Sequence, residues 1–300
     1  MMQSMQDIVR AAKAAPTKTL VIACAADQPV LEAVEQARKE DIVQPILVGD
    51  QDAIVALLQT LGYDPSLYEI HHQPDDVAAC VHSVRLVHDH PGYFLMKGLV
   101  STSTILKAAL DKEHGLRTAN RISHVSVMQV PTYHKLLMMT DGAMNIAPDL
   151  EDKRQIVENA AHIAHALGIP NPAVGVIAAV ETVNPKMEAT LHAAELKQMN
   201  LDGRLSGCVV GGPFALDNAI DKEAAHHKGI TDPIAGEIDI LLMPRIEAGN
   251  VFYKTMMFLA NATSASVIAG ASRPIVLTSR ADSMETKFHS IALAALVVES

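Results

Sequence analysis

Along the first third of the chain, short runs of aliphatic and β-branched residues alternate with stretches in which apolar residues recur every three or four positions. The spacing predicts a helix over 5–15, a strand over 19–23, a helix over 28–40 with Val30, Leu31, Val34 and Ala37 on one face, and a strand over 44–48 closed by Gly49. The same alternation predicts a helix over 51–61 ending at Gly62, a strand over 67–71 and a helix over 75–90 stopped by Pro91-Gly92. A strand over 93–96 and a helix from about 105 to 111 follow. Strand, helix, strand in this order is the signature of a parallel sheet.

Two β-rich runs, 122–130 and 135–140, then stand side by side with only Pro131-Thr-Tyr and His134 between them. That break marks passage into a second lobe near Pro131. A helix over 150–167 is stopped by Gly168 and Pro170, and three strand–loop–helix units begin at 173–180, 208–210 and 238–243. Gly211-Gly-Pro reads as the loop after the middle one. Strands over 267–269 and 274–278 and a helix over 283–298 close the chain.

Composition narrows the class. With 49% hydrophobic and 19% charged residues the chain is globular, and with 3% aromatics, no Trp and 14 Met its core must be aliphatic. A net charge of −10 disfavours nonspecific binding to nucleic acid, so an anionic ligand needs a concentrated basic site. Cys24, Cys80 and Cys208 are odd in number and lack metal-type spacing, which fits a reduced, cytoplasmic protein. Arg10, Lys13 and Lys18 precede a short apolar run that reads as a first strand rather than a signal sequence, and no apolar stretch reaches the roughly 18 residues of a membrane span. A soluble protein is expected.

Chemistry concentrates where strands end. Ser279 and Arg280 fall in the turn between the 274–278 strand and the last helix, where free N–H groups and an arginine suit a phosphate or a carboxylate. Asp282 and Glu285 stand beside them as acid candidates, or as an acidic capping box that starts the helix. Lys97, Gly98, Ser101 and Thr102 occupy a second strand end; Ser101 or Ser103 suits a helix cap, and Gly98 permits close backbone approach. No GxGxxG or P-loop is present, and the pairs among the 14 His join no Cys or carboxylate cluster, so no metal site is expected.

Taken together, Gly212 to Ala225, His227-Lys-Gly-Ile230, Glu247-Ala-Gly-Asn250 with Tyr253-Lys254, and Pro274 to Ser283 with Glu285-Thr-Lys287 resemble the phosphate acetyltransferase and phosphate butyryltransferase family. Leu95-Met-Lys-Gly-Leu-Val100, Thr132-Tyr-His-Lys-Leu136 and Asp141 to Pro148 resemble its butyryltransferase branch. The resemblance implies a two-lobed three-layer α/β/α fold of the isocitrate/isopropylmalate dehydrogenase type with mostly parallel sheets. It further implies a first lobe of 1–130 joined by 268–300, a second lobe of 131–267, an active-site cleft between them, and a homodimer or higher homo-oligomer. The implied reaction is acyl-CoA plus inorganic phosphate in equilibrium with acyl phosphate plus CoA, by direct transfer of an acetyl, butyryl or similar short acyl group. Coenzyme A enters as substrate, and no cofactor is bound permanently.

By that resemblance Arg280 binds the phosphate and Ser279 donates to the developing oxyanion. The acetyltransferase branch has an aspartate six residues after the arginine, where this chain has Thr286, which leaves Asp282 or Glu285 to take the thiol proton. That branch also has a cysteine where this chain has Gly142. Asp141, Asn145, Asn218, Glu247 and Asn250 are cleft-lining candidates with turn-holding as the alternative, and Lys97, Ser101, Thr102 and Lys254 are candidates for CoA or phosphate. Two other readings remain at this point: a metal- and NAD-dependent dehydrogenase on the related fold, and a non-catalytic CoA-binding regulatory module suggested by Thr286.

Overall fold

A computed structural model describes residues 1–279 and 281–298. The chain divides into two compact units: a first of Met5–Asn120 with the chain from Ala265 on, and a second of Arg121–Ser264 with Met1–Ser4. The changeover thus precedes the expected one near Pro131, because both adjacent β-rich runs pair with each other antiparallel and stay together.

The first unit holds α1 (Met5–Ala14), β1 (Lys18–Ala23), α2 (Gln28–Lys39), β2 (Val43–Gly49), α3 (Gln51–Thr60), β3 (Glu69–His72), α4 (Asp76–Asp89), β4 (Tyr93–Lys97) and α5 (Thr102–Ala109). Its later part carries β10 (Thr263–Ala269), β11 (Ile275–Val276) and α11 (Met284–Val297). The strand order is β3-β2-β1-β4-β11-β10, parallel throughout except for β10 against β11. Leu20, Val21 and Ile22 of β1 are fully buried, as a central parallel strand between helices requires. After β1 the chain builds outward to β2 and β3, then returns to set β4 on β1's other side. That reversal opens a crevice beyond the carboxyl ends of β1 and β4.

The second unit holds β5 (Ser123–Gln129), β6 (Leu137–Thr140), α6 (Leu150–Ala166), β7 (Ala173–Ile177), α7 (Glu188–Leu201), β8 (Val209–Phe214), α8 (Leu216–Ile220), α9 (Lys222–His227), β9 (Ile240–Leu242) and α10 (Ile246–Phe258). Its strand order is β5-β6-β9-β7-β8, with β5 and β6 antiparallel and the others parallel. Met128, Met139, Phe214, Leu241 and Tyr253 meet in its core, the aliphatic and Met-rich filling that the composition predicts.

Several boundaries differ from expectation. Gly211-Gly-Pro belongs to β8 rather than to the loop after it, and β8 is the sheet's edge, where a proline's missing N–H leaves no ladder gap. The strand expected over 274–278 is reduced to the two residues of β11. Helix α5 starts earlier than expected, with Ser101 accepting from the Thr104 amide. Asp282 does not cap α11; Ser283 does, accepting from the Thr286 amide. An acidic capping box does occur, at Asp149 and Asp152 of α6. Among the described residues no helix is long and apolar enough to cross a membrane.

Candidate functional site

In the first unit, β1, β4 and β11 are neighbours, so the loops that follow them meet at one edge of the sheet. The loops after β1 and β4 are joined backbone to backbone: the Gly98 amide donates to the Ala23 carbonyl and the Leu99 amide to the Cys24 carbonyl, both at 2.8 Å. A Cβ at Gly98 would lie 2.1 Å from the Cys24 oxygen, so the close approach this glycine permits is to the chain's own β1 loop. Lys97 is buried and its ammonium donates to the carbonyls of Gly98 (3.1 Å) and Val100 (3.2 Å), folding the loop around itself. Ser101 is the helix cap and shares hydrogen bonds with the hydroxyls of Ser103 and Thr104; Thr102 is exposed at the first position of α5.

The loop after β11 presents Ser279, an exposed residue whose amide donates to Asp282 Oδ2 at 2.6 Å. The Ser279 hydroxyl accepts from the Ala281 amide at 3.3 Å. Arg280 lies outside the described residues. Asp282, half-buried, thus uses one carboxylate oxygen, Oδ2, on the backbone that presents Ser279, while Glu285 is directed elsewhere. Glu285 lines a groove of about 640 Å³ with Gln6 and Lys13 of α1 and Gln36 of α2. Of the two acid candidates, the fold brings only Asp282 to Ser279. The sequence marked Lys287 within Glu285-Thr-Lys287 without assigning it a role; it is buried near the start of α11, and its ammonium donates to the carbonyls of Ser279 (3.3 Å) and Asp282 (2.6 Å).

In the second unit, the strands β6, β9, β7 and β8 run parallel and their following loops share an edge. Asp141, 2% exposed, closes the loop after β6 around its own carboxylate. Oδ1 accepts from the amides of Ala143 (2.8 Å) and Met144 (2.9 Å), and Oδ2 from the amide (3.2 Å) and side-chain nitrogen (2.6 Å) of Asn145. Asn145 also donates to the Ile122 carbonyl. Four donors on one buried carboxylate make Asp141 and Asn145 a turn-holding pair. Asn250 joins them by donating to the Gly142 carbonyl at 3.2 Å. A Cβ at Gly142 would stand 3.0 Å from the Gly249 backbone, so a cysteine here would crowd the start of α10.

Asn218, fully buried in α8, donates to Glu181 Oε1 at 2.7 Å, and its own Oδ1 has no hydrogen-bond partner among the described residues. Lys228 completes the cluster, donating to Glu181 at 2.5 Å and contacting Asp217 at 2.9 Å. Its hydrogen bonds hold the carboxyls of Glu181 and Asp217 below the ordinary range, and its own ammonium is raised. Lys228 lies within the His227-Lys-Gly-Ile stretch, a signal that marked the segment without assigning the residue. Glu247 is exposed, and Lys254 sets its ammonium over the rings of Tyr253 (5.4 Å) and Phe258 (5.8 Å). Among the described residues no group of three or more His, Cys, Asp or Glu could hold a metal ion.

A family model described as "Phosphate acetyl/butaryl transferase" matches residues 3–93 and 69–295. The chain is 48% identical over 297 residues to a phosphate butyryltransferase of Clostridium acetobutylicum, covering 99% of each. It is 44% identical over 279 residues to a phosphate acetyltransferase of Thermotoga maritima, covering 93% of this chain and 95% of that one. Its fold matches the crystal structure of a branched-chain phosphotransacylase from Enterococcus faecalis with a TM-score of 0.85 at 35% identity, over 94% of this chain and 99% of the other.

Proposed function

The chain belongs to the phosphate acetyltransferase and phosphate butyryltransferase family and is a phosphate acyltransferase, and from that premise we propose that it moves a short acyl group directly between CoA and phosphate, with Ser279 and Arg280 at the reacting centre. An oxygen of hydrogen phosphate attacks the thioester carbonyl carbon, an anionic tetrahedral species forms, the C–S bond breaks, and the CoA thiolate takes up the proton that the phosphate gives up. The reverse reaction begins with loss of that proton. Such a sequence needs a donor at the oxyanion and positive charge on the phosphate, and no covalent bond to the protein.

The observation that carries this reading is the Ser279 turn. Its amide is pinned by Asp282 and its hydroxyl sits at the carboxyl edge of a parallel sheet. Ser279 donates to the oxyanion, Arg280 binds two phosphate oxygens, and Asp282 is the acid closest to the exchange of the thiol proton. Glu285 faces the α1 and α2 groove, which argues against it in that role. Ser101 and Thr102 hold CoA, Lys97 and Gly98 shape the loop that presents them, and Lys254 offers positive charge. Asp141, Asn145, Asn218 and Asn250 hold the second unit's loops in position, while Glu247 stays exposed.

Free thiols at Cys24, Cys80 and Cys208 support work in the reducing cytoplasm. Exposed Val251, Phe258 and Leu259 on and beside α10 support a homodimer, which light scattering would read directly. The function is tested by following free thiol from acetyl-, butyryl- and branched acyl-CoA with and without phosphate. Release that requires phosphate is expected; none with any donor would refute the proposal.

A further inference from the structure

A lysine one turn into a helix ordinarily extends to water, because burying an ammonium is costly unless it is matched. Lys287 is 3% exposed, and among the described residues its two acceptors are both backbone carbonyls. Those carbonyls belong to Ser279 and Asp282, and the same two residues are joined twice more. The Ser279 amide donates to the Asp282 carboxylate at 2.6 Å, and the Asp282 amide donates to the Ser279 carbonyl at 3.1 Å. One buried ammonium and one carboxylate thus fix both ends of the turn from opposite sides. Among the described residues, β11 supplies two paired residues before Ser279, and the helix cap Ser283 acts after Asp282.

Resting on the reading above, we propose that Lys287 is a positioning residue for the acyl transfer, holding the backbone of Ser279 and Asp282 so that the Ser279 hydroxyl meets the transition state in register. The Asp282 carboxylate is the other half of this clamp, and the charge of Asp27, on the loop after β1, faces the same ammonium. Burial lowers the affinity of Lys287 for its proton, and these two carboxylates oppose that effect. Among the described residues Lys287 hydrogen-bonds to backbone carbonyls alone, so these two carboxylates act on it through charge rather than by direct hydrogen bonds. Displacing a catalytic group by about 1 Å can cost on the order of a hundredfold in rate, so a clamp of this kind bears on turnover more than on substrate binding.

The test compares wild type with Lys287→Met, which keeps the stem but removes the donors, and Lys287→Arg, which restores them. Turnover is read in the phosphate-dependent thiol-release assay and local opening by hydrogen–deuterium exchange of the peptide spanning 279–283. In Lys287→Met, kcat is expected to fall at least about tenfold with KM for acyl-CoA within about twofold, exchange rising in that peptide. Lys287→Arg is expected to recover most of the loss. If Lys287→Met does not fold, Lys287→Gln, which removes the charge and shortens the reach while keeping an NH2 group, takes its place under the same thresholds. A folded variant with kcat within about threefold of wild type, or with KM alone changed, overturns the proposal. Wild type without phosphate-dependent turnover would defeat the functional reading itself and the positioning role with it. The exchange data would then separate the two failures, because they report the clamp without reference to catalysis.

Discussion

In the second unit a carboxylate sits at the centre of the loop after β6, with Asp141 drawing four donors inward. In the first unit the order is inverted around the loop after β11, where the ammonium of Lys287 draws in two carbonyls and the carboxylate of Asp282 holds one amide. The first arrangement engages both oxygens of its acid in holding the loop. The second leaves the Ser279 side chain at the surface while its backbone is held. On the proposed function, loops with similar strand-end positions divide into supports and working parts, and hydrogen-bond occupancy separates them where residue type does not.

This division predicts where activity and stability will separate. Ser279→Ala is expected to lower kcat about 10²- to 10³-fold, the scale of a lost oxyanion donor, with thermal unfolding unchanged. An equal loss of stability would erase the distinction between the two loops. Asp141→Ala should do the reverse. Removing a buried carboxylate from four donors is expected to cost about 3 kcal/mol or more, read as a lower urea midpoint, because the donors are left unpaired. Gly98→Ala is expected to cost a similar amount, about 3 kcal/mol, since its Cβ meets the Cys24 carbonyl at 2.1 Å and backbone must move. Normal stability in that variant would mean that the β1 and β4 loops are not locked together.

The smallest effect concerns Lys153 of α6, which is buried against His192 at 2.9 Å, with burial lowering its pKa to about 8. Because the folded chain releases this proton more readily than the unfolded one, the unfolded state binds more protons between about pH 8 and the ordinary lysine range near 10.4. The lysine's contribution to stability should rise with pH across that window, by about 1–3 kcal/mol at most. Lys153→Met should abolish that rise in urea titrations at pH 7.5 and 10; a slope unchanged by the substitution would contradict the assignment.

Much of this architecture was legible because its signals are local and periodic. Helical spacing in 28–40 and 75–90 and the aliphatic runs at 19–23 and 93–96 correspond to α2, α4, β1 and β4. Legibility failed where tertiary context decides. Gly211-Gly-Pro reads as a turn but is tolerated in β8 because that strand is an edge. Asp282 and Glu285 read as a capping pair, yet Ser283 supplies the cap, so one carboxylate turns to the Ser279 amide and the other to the groove with α1 and α2. Ser279 was legible as a polar interruption between a strand and a helix. Lys287 and Lys228 were not, since a lysine's sequence neighbours do not reveal which distant carbonyls or carboxylates will surround it.

The most direct measurement of direct transfer at the Ser279 turn is isotope exchange between labelled CoA and unlabelled acyl-CoA, run with phosphate absent and present. If the acyl group passes straight from sulfur to phosphate, label enters acyl-CoA only when phosphate is supplied. Exchange at a comparable rate without phosphate would require an acyl group held covalently by the protein, and would contradict the account.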